Sequence, residues 1–354
     1  MKNSQLYILC FGTTLTSIKN EYLKCKTLSD FEELAKKSMM PHRFYYYDYK
    51  AGQGHTYQAC RHYFDKQLRI MPRVLIDVSE ISLKTTIFGL IYESPILIAT
   101  SACHCLAQVD GEVATARAAT ETQCIFTYNW TFSNMPEEYV LQTLADKKGY
   151  RAIVITCDQP HERIRDFVLP LFEEASKNID PELMKNMSIP NLNIPGIIVK
   201  QHFGTGSVTW ANIEWIRKLT QLSIICKGIL SPIHAELAIK YGANGIIVSN
   251  HDGRLIDTAP PAIECLEDVV NAVDGRAEVF VDTGIRSRTD VLKTLALGAR
   301  AVLIGRPILY GLACGGQDSV RRVLDILKRE LVYDMACCGL TSIDQINKDI
   351  LYKH

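Results

Sequence analysis

A parallel α/β barrel is the fold this sequence predicts, on three observations. Short β-branched runs alternate with helical stretches from residue 95 to the C-terminus. The runs are apolar almost without interruption, as strands of a parallel sheet buried on both faces must be. The last four recur every ~25–30 residues, the length of one βα unit. No Gly-x-Gly-x-x-Gly opens a helix after the first strand, which counts against a dinucleotide fold. The predicted class is a (β/α)8 TIM barrel that, on its strand count, lacks a third strand.

Each element follows from its pattern. Pro95 to Thr100 is the first strand. Gly111 to Gln123 reads as a helix and Cys124 to Asn129 as the second strand. Ala152 to Asp158 is the next, followed by Leu222 to Gly228, Gly245 to Asn250, Glu278 to Asp282 and Ala301 to Gly305. Pro261 to Val273 and Ser287 to Ala299 are crossover helices between them. These make seven strands, whereas a closed barrel needs eight. Only Trp130 to Gly149 separates the second from the next, which is room for one helix and not for helix, strand and helix. Ile194 to Val199 could be a strand by composition, but it lies inside a long polar insertion.

The chain of 354 residues is 47% hydrophobic and carries 39 basic and 39 acidic side chains. That suits one large domain, here residues 28–354, preceded by an extension over 1–27. Zero net charge gives no reason to expect nucleic acid or an anionic membrane as partner. No apolar run reaches the ~18 residues of a membrane-spanning helix. Twelve cysteines without zinc-site spacing read as reduced thiols in an intracellular protein. Lys2 and the apolar stretch Leu6 to Gly12 resemble a secretory leader, but the stretch is short and no small-x-small cleavage site follows. The ending Leu351-Tyr352-Lys353-His354 is not a Ser-Lys-Leu-type peroxisomal address.

Functional groups of a βα barrel sit where strands end and loops begin. Four consecutive strands end in Lys227-Gly228, in Ser249-Asn250-His251-Asp252-Gly253-Arg254, in Asp282-Thr283-Gly284-Ile285-Arg286 and in Gly305-Arg306-Pro307. One face thus receives a Lys, a His, three Arg and several Gly. Glycines let backbone N–H groups approach an anion, and Arg forks onto phosphate. Taken singly, each residue has an ordinary reading: a surface charge, a hydrogen-bonded His, a turn glycine. Their falling at one end of consecutive strands is what favours a site.

These stretches resemble the FMN-dependent 2-hydroxy-acid oxidases, the family of glycolate oxidase and lactate oxidase. Ser249-Asn250-His251 with Arg254 and Asp257 is similar to that family's Ser-Asn-His-Gly-Gly-Arg-Gln-Leu-Asp signature, and Asp282 to Arg286 with Thr289-Asp290 to its phosphate loop. Leu295 to Ala299, Gly305-Arg306-Pro307, Pro72-Arg73 to Asp77-Val78 and Gly111 to Ala119 extend the resemblance, which covers most of residues 28–350. It implies FMN as cofactor, and a small (S)-2-hydroxy acid and O2 as substrates, with a 2-oxo acid and H2O2 as products. It implies phosphate contacts from Gly284, Arg286, Gly305 and Arg306, within the cofactor stretch Asp282, Thr283, Gly284, Ile285 and Arg286. Thr100, Ser101 and Ala102 would support the ring, and Asn129, Thr156 and Ser249 would bond ring or ribityl atoms. Lys227 would place positive charge by the ring's N1–O2 edge. His251 would be the general base and Arg254 the carboxylate clamp. The resemblance also implies a peroxisomal location, the cytoplasm being the other compartment, and a homotetramer.

The departures are as specific as the matches. The family's third strand, with a flavin-binding Gln and a substrate-contacting Tyr, has no counterpart: Glu137-Glu138 is followed almost at once by Leu141-Gln142-Thr143-Leu144, which resembles the helix after that strand. On the order of twenty residues are absent relative to the usual βα unit. Either the second and fourth strands pair directly, or the site is loose and binds FMN weakly, or the transcript lacks a segment. A second substrate-binding Arg is Arg163 or absent. The N-terminal substrate Tyr is Tyr47 counting from Pro41, and Tyr49 or Asp48 counting back from Ala51-Gly52. Asp252 replaces a Gly and is expected to compete for Arg254 and repel an anionic substrate. Thr283 also replaces a Gly, with strain if that position needs positive φ. The alternative function is a catalytically impaired family member that binds flavin or a partner. A phosphate-binding barrel without flavin gives no reason for His251 and Arg254 together.

Overall fold

The computed structural model describes residues 21–129, 149–159 and 209–352. Three helices open it: α1 (Leu28–Ser38), α2 (Pro41–Asp48) and α3 (His55–His62). Thr27 and Asp30 close a reciprocal capping box on α1, and Pro41 starts α2 at a position where its missing N–H costs nothing. A hairpin follows, β1 (Thr85–Ile87) and β2 (Leu90–Tyr92), whose turn residues Phe88 and Gly89 are both left-handed.

The parallel sheet comprises β3 (Ile96–Ile98), β4 (Ala152–Thr156), β5 (Ser223–Ile229), β6 (Gly245–Val248), β7 (Glu278–Val281) and β8 (Ala301–Ile304). Their order is β3-β8-β7-β6-β5-β4. The first strand therefore pairs with the last, Ile96 opposite Val302, as barrel closure requires. The predicted second strand survives as one parallel bridge, Ile98 to Phe126, on the free side of β3. Among the described residues, β4 carries a ladder on its β5 side only. Among the described residues no ladder joins Phe126 to β4. Ile194 to Val199 and residues 1–20 lie outside the described residues.

Helices α4 (Gly111–Glu121), α5 (Trp210–Leu219), α6 (Pro232–Lys240), α7 (Ala262–Val273), α8 (Arg288–Ala296) and α9 (Arg306–Cys337, broken at Gly315–Gly316) cover the outer face. Side chains alternate along the strands and divide the core in two. Ile96, Ile98, Ile246, Val248, Val302 and Ile304 pack outward against the helices. Leu97, Ala99, Ile225, Ile247, Phe280, Ala301 and Leu303 form a second, smaller cluster with Ile87. That second cluster is the barrel interior, and the hairpin plugs its lower end: Phe88 tilts onto Phe280 with ring centres 6.0 Å apart, and its N–H donates to Glu278 at 2.8 Å. Filling the lower end leaves the upper end, where the strands terminate, for chemistry. No helix among the described residues is long and apolar enough to cross a membrane.

Candidate active site

Two polar clusters sit at the upper end. The first is built on Lys227, buried within β5. Its Nζ lies 2.9 Å from the Asp282 carboxylate beyond β7 and donates to Ser249 Oγ beyond β6 at 3.1 Å. Burial opposes the ammonium charge, but Asp282 and Asp158 outweigh it and hold the pKa above the ordinary lysine value. Ser249 Oγ also accepts the His251 N–H at 3.0 Å, which fixes the start of the short 3-10 turn His251–Gly253.

His251 is the centre of this cluster. Its Nδ1 meets both oxygens of Asp158 at 3.1 Å, and its Nε2 meets Gln159 Nε2 at 3.0 Å. One tautomer satisfies both contacts: Nδ1–H donates to the carboxylate and the Nε2 lone pair accepts from the amide. Burial and the Lys227 charge push the imidazole below the ordinary histidine value, while Asp158 pulls the other way. For Asp158, burial would raise the carboxyl, but the His251 hydrogen bond and Lys227 reverse that and lower it. The result is a neutral imidazole beside an ionised carboxylate. Gly228 makes the approach possible. It has φ +100° at an irregularity in the β5–β6 pairing, and a Cβ there would fall 2.5 Å from the Asp158 side chain.

The second cluster gathers Arg286, Arg306 and Asp252. The Asp252 carboxylate accepts from Arg286 Nη2 at 3.0 Å and pairs closely with Arg306 Nη1. Burial would raise its carboxyl, but the two guanidiniums hold it well below the carboxylate range. Arg306 also donates to the carbonyls of Tyr47 (2.7 Å), Tyr49 (2.7 Å) and Asp252 (3.0 Å). This corrects the expectation for Asp252: it engages the phosphate-loop arginines, and Arg254 instead donates to the Tyr46 carbonyl at 2.6 Å and lies over the Tyr46 ring. Thr283 needs no positive φ; the left-handed residue is Gly284 at φ +81°, where a Cβ would crowd Phe64 and Cys60. Thr283 Oγ1 donates to Asp282 at 3.0 Å, and buried Ile285 anchors the loop.

Most of the remaining predicted residues lie at or just beyond strand ends. Thr100, Ser101 and Ala102 follow β3, Thr156 ends β4, and Asn129 ends the described second-strand segment. Thr100 Oγ1 is buried without a hydrogen-bond partner among the described residues. Gly305 lies 3.8 Å, as a built Cβ, from Ala99 and opens α9. Tyr47 is fully buried and donates its hydroxyl to the Cys103 carbonyl at 2.6 Å, so a substrate contact requires that bond to be exchanged. Arg163 lies outside the described residues. Asp158 and Gln159 were missed as site residues. The signal for Asp158 was its place, at the end of the strand run Ala152 to Asp158 and two residues past Thr156, which pairs with Lys227; Gln159 carried none.

Comparison with known proteins identifies the family. The model of the FMN-dependent dehydrogenase family matches residues 35–146 and 137–353. The two matched stretches overlap at 137–146. A peroxisomal (S)-2-hydroxyacid oxidase of Arabidopsis thaliana is 36% identical over 358 aligned positions, spanning 91% of this chain and 95% of the relative. Since 91% of 354 residues is about 322, about 36 of those 358 positions face a gap in this chain. The 2-hydroxyacid oxidase 2 of Rattus norvegicus is 38% identical, spanning 92% of this chain and 97% of the relative. A mandelate oxidase structure with (S)-2-phenylpropionate superposes with a TM-score of 0.76 at 30% identity, covering 93% of this chain and 98% of its own. The chain therefore belongs to the FMN-dependent dehydrogenase family.

Proposed function

We propose that this protein oxidises a small (S)-2-hydroxy acid to the 2-oxo acid, O2 being reduced to H2O2. The observation that carries the reading is the His251–Asp158 pair beside Lys227. His251 offers a neutral Nε2, held in one tautomer by a carboxylate on Nδ1, and such an imidazole can take a proton from a substrate. The Gln159 amide now on Nε2 marks where a substrate hydroxyl would bind, and would be displaced by it. Arg254, three residues on, is the proposed carboxylate clamp.

FMN is the family's cofactor, and the residues present fit its ring end. Thr100 Oγ1 is a buried polar atom with no hydrogen-bond partner among the described residues, beside the Ser101–Ala102 loop. Lys227 is a buried cation between Thr156 and Ser249, suited to a polar ring edge that gains negative charge. Asn129, Thr156, Ser249 and the 282–286 loop are proposed to hold the ring and ribityl chain, with Gly305 and the two arginines at the phosphate end. FMN supplies the two-electron acceptor; the chain's part is to bind the acid, orient it and remove its proton.

The impaired alternative gains no specific support, because base, orienting carboxylate and buried lysine are assembled. Mixing purified FMN-loaded protein anaerobically with glycolate, lactate or mandelate tests the proposal. Bleaching of the flavin absorbance by at least one acid is expected. A spectrum unmoved by all three would overturn it. The Arabidopsis relative is named peroxisomal, and we propose the same compartment here, with a homotetramer in solution to be checked by light scattering.

A further inference from the structure

The flavin site has a feature that the family pattern does not explain. The two arginines placed to grip a phosphate already hold an anion supplied by the chain, the carboxylate of Asp252. Their donors are largely spent. Arg306 uses Nε, Nη1 and Nη2 on the carbonyls of Tyr47, Asp252 and Tyr49 and on the carboxylate. Arg286 uses Nη1 on the Ile285 carbonyl and Nη2 on Asp252.

On Asp252 and the two arginines, two buried atoms remain without a partner among the described residues: Arg286 Nε, a donor, and Asp252 Oδ1, an acceptor. A phosphate dianion could take the first but would leave the second unsatisfied, and would meet a like charge. A hydroxyl both accepts and donates, so it suits the pair. The backbone supports a fixed role for the carboxylate: His251 and Asp252 are both left-handed, at φ 57° and φ 55°, a strained sequence of two residues that the salt bridges hold in place.

We infer that Asp252 stands in for the cofactor's phosphate, so that this site distinguishes FMN from riboflavin, which ends in a hydroxyl, far less than the arginine pair alone would. Asp252 is thus a specificity residue for the phosphate end of the flavin. The inference rests on the proposed flavin site, and the test separates the two.

The flavin is stripped from the full-length protein, and FMN and riboflavin are titrated back by fluorescence quenching, in the native protein and in Asp252→Gly. Glycine relieves the left-handed backbone at that position, so folding should survive; Asp252→Asn, of the same shape without the charge, replaces it if folding fails. The expected result is a riboflavin-to-FMN Kd ratio that rises at least tenfold on substitution, about 1.4 kcal/mol, through tighter FMN binding with riboflavin nearly unchanged. A smaller rise overturns the role of Asp252 and leaves the flavin site standing. Failure of the native protein to bind either flavin overturns the flavin site and this inference together.

Discussion

Among the described residues, the β5–β8 side of the sheet is paired more fully than the β3–β4 side. From β5 to β8 each strand is paired on both sides, and their ends deliver Lys227, Ser249, His251, Asp282, Arg286 and Arg306 into two connected clusters. On the other side β3 keeps only a single bridge to Phe126, and β4 has a ladder on one side among the described residues. The difference teaches that the base, buried cation and anion grip come from one contiguous run of strands, β5 to β8. β4 is where the two sides meet, because Asp158 follows it and holds His251.

The comparison breaks first at His251. Its replacement by Ala is expected to slow anaerobic flavin reduction by ~10²–10⁴-fold, the range of a positioned general base. A loss below tenfold would show that the complete side does not carry the chemistry. Replacing Lys227 by Met strands the buried Asp282 carboxylate, and ~3–5 kcal/mol of unfolding free energy should be lost in urea denaturation.

Asp158→Asn tests the junction between the sides. A loss of about 100-fold in kcat is expected, because an amide no longer favours the Nδ1–H tautomer. The pH profile gives the sign. His251 acts as base when neutral, and its pKa lies below 6.5; kcat/KM should therefore rise with pH through a midpoint under that value. Removing Asp158 removes a raising influence, so the midpoint should move lower still. The smallest effect is in amide exchange. Cys157 N–H donates to the Lys227 carbonyl, so by alternation Val154 and Thr156 N–H point away from β5. These two amides should exchange about tenfold or more faster than those of Ile246 and Ile247, which lie between two ladders.

Much of this was legible one strand at a time. Lys227, His251, Arg286 and Arg306 could be placed at strand ends because a parallel strand is a continuous apolar run and its C-terminal end is where the apolar residues stop. The Asp252 substitution was also visible, but its partner was not. In the sequence Arg254 lies two residues away, while Arg286 and Arg306 lie 34 and 54 residues away and become neighbours only when β6, β7 and β8 align. The same holds for Asp158, whose partner His251 is 93 residues distant.

The sequence by itself determined the alternation of strand and helix, the family and the residue types at the upper face, since each is written in local pattern. Tertiary structure alone decided which charges pair. Nearness in sequence does not set side-chain contact across a sheet, whereas strand register and the left-handed turn at His251–Asp252 do. That is why Asp252 faces the arginines of the phosphate end and not Arg254.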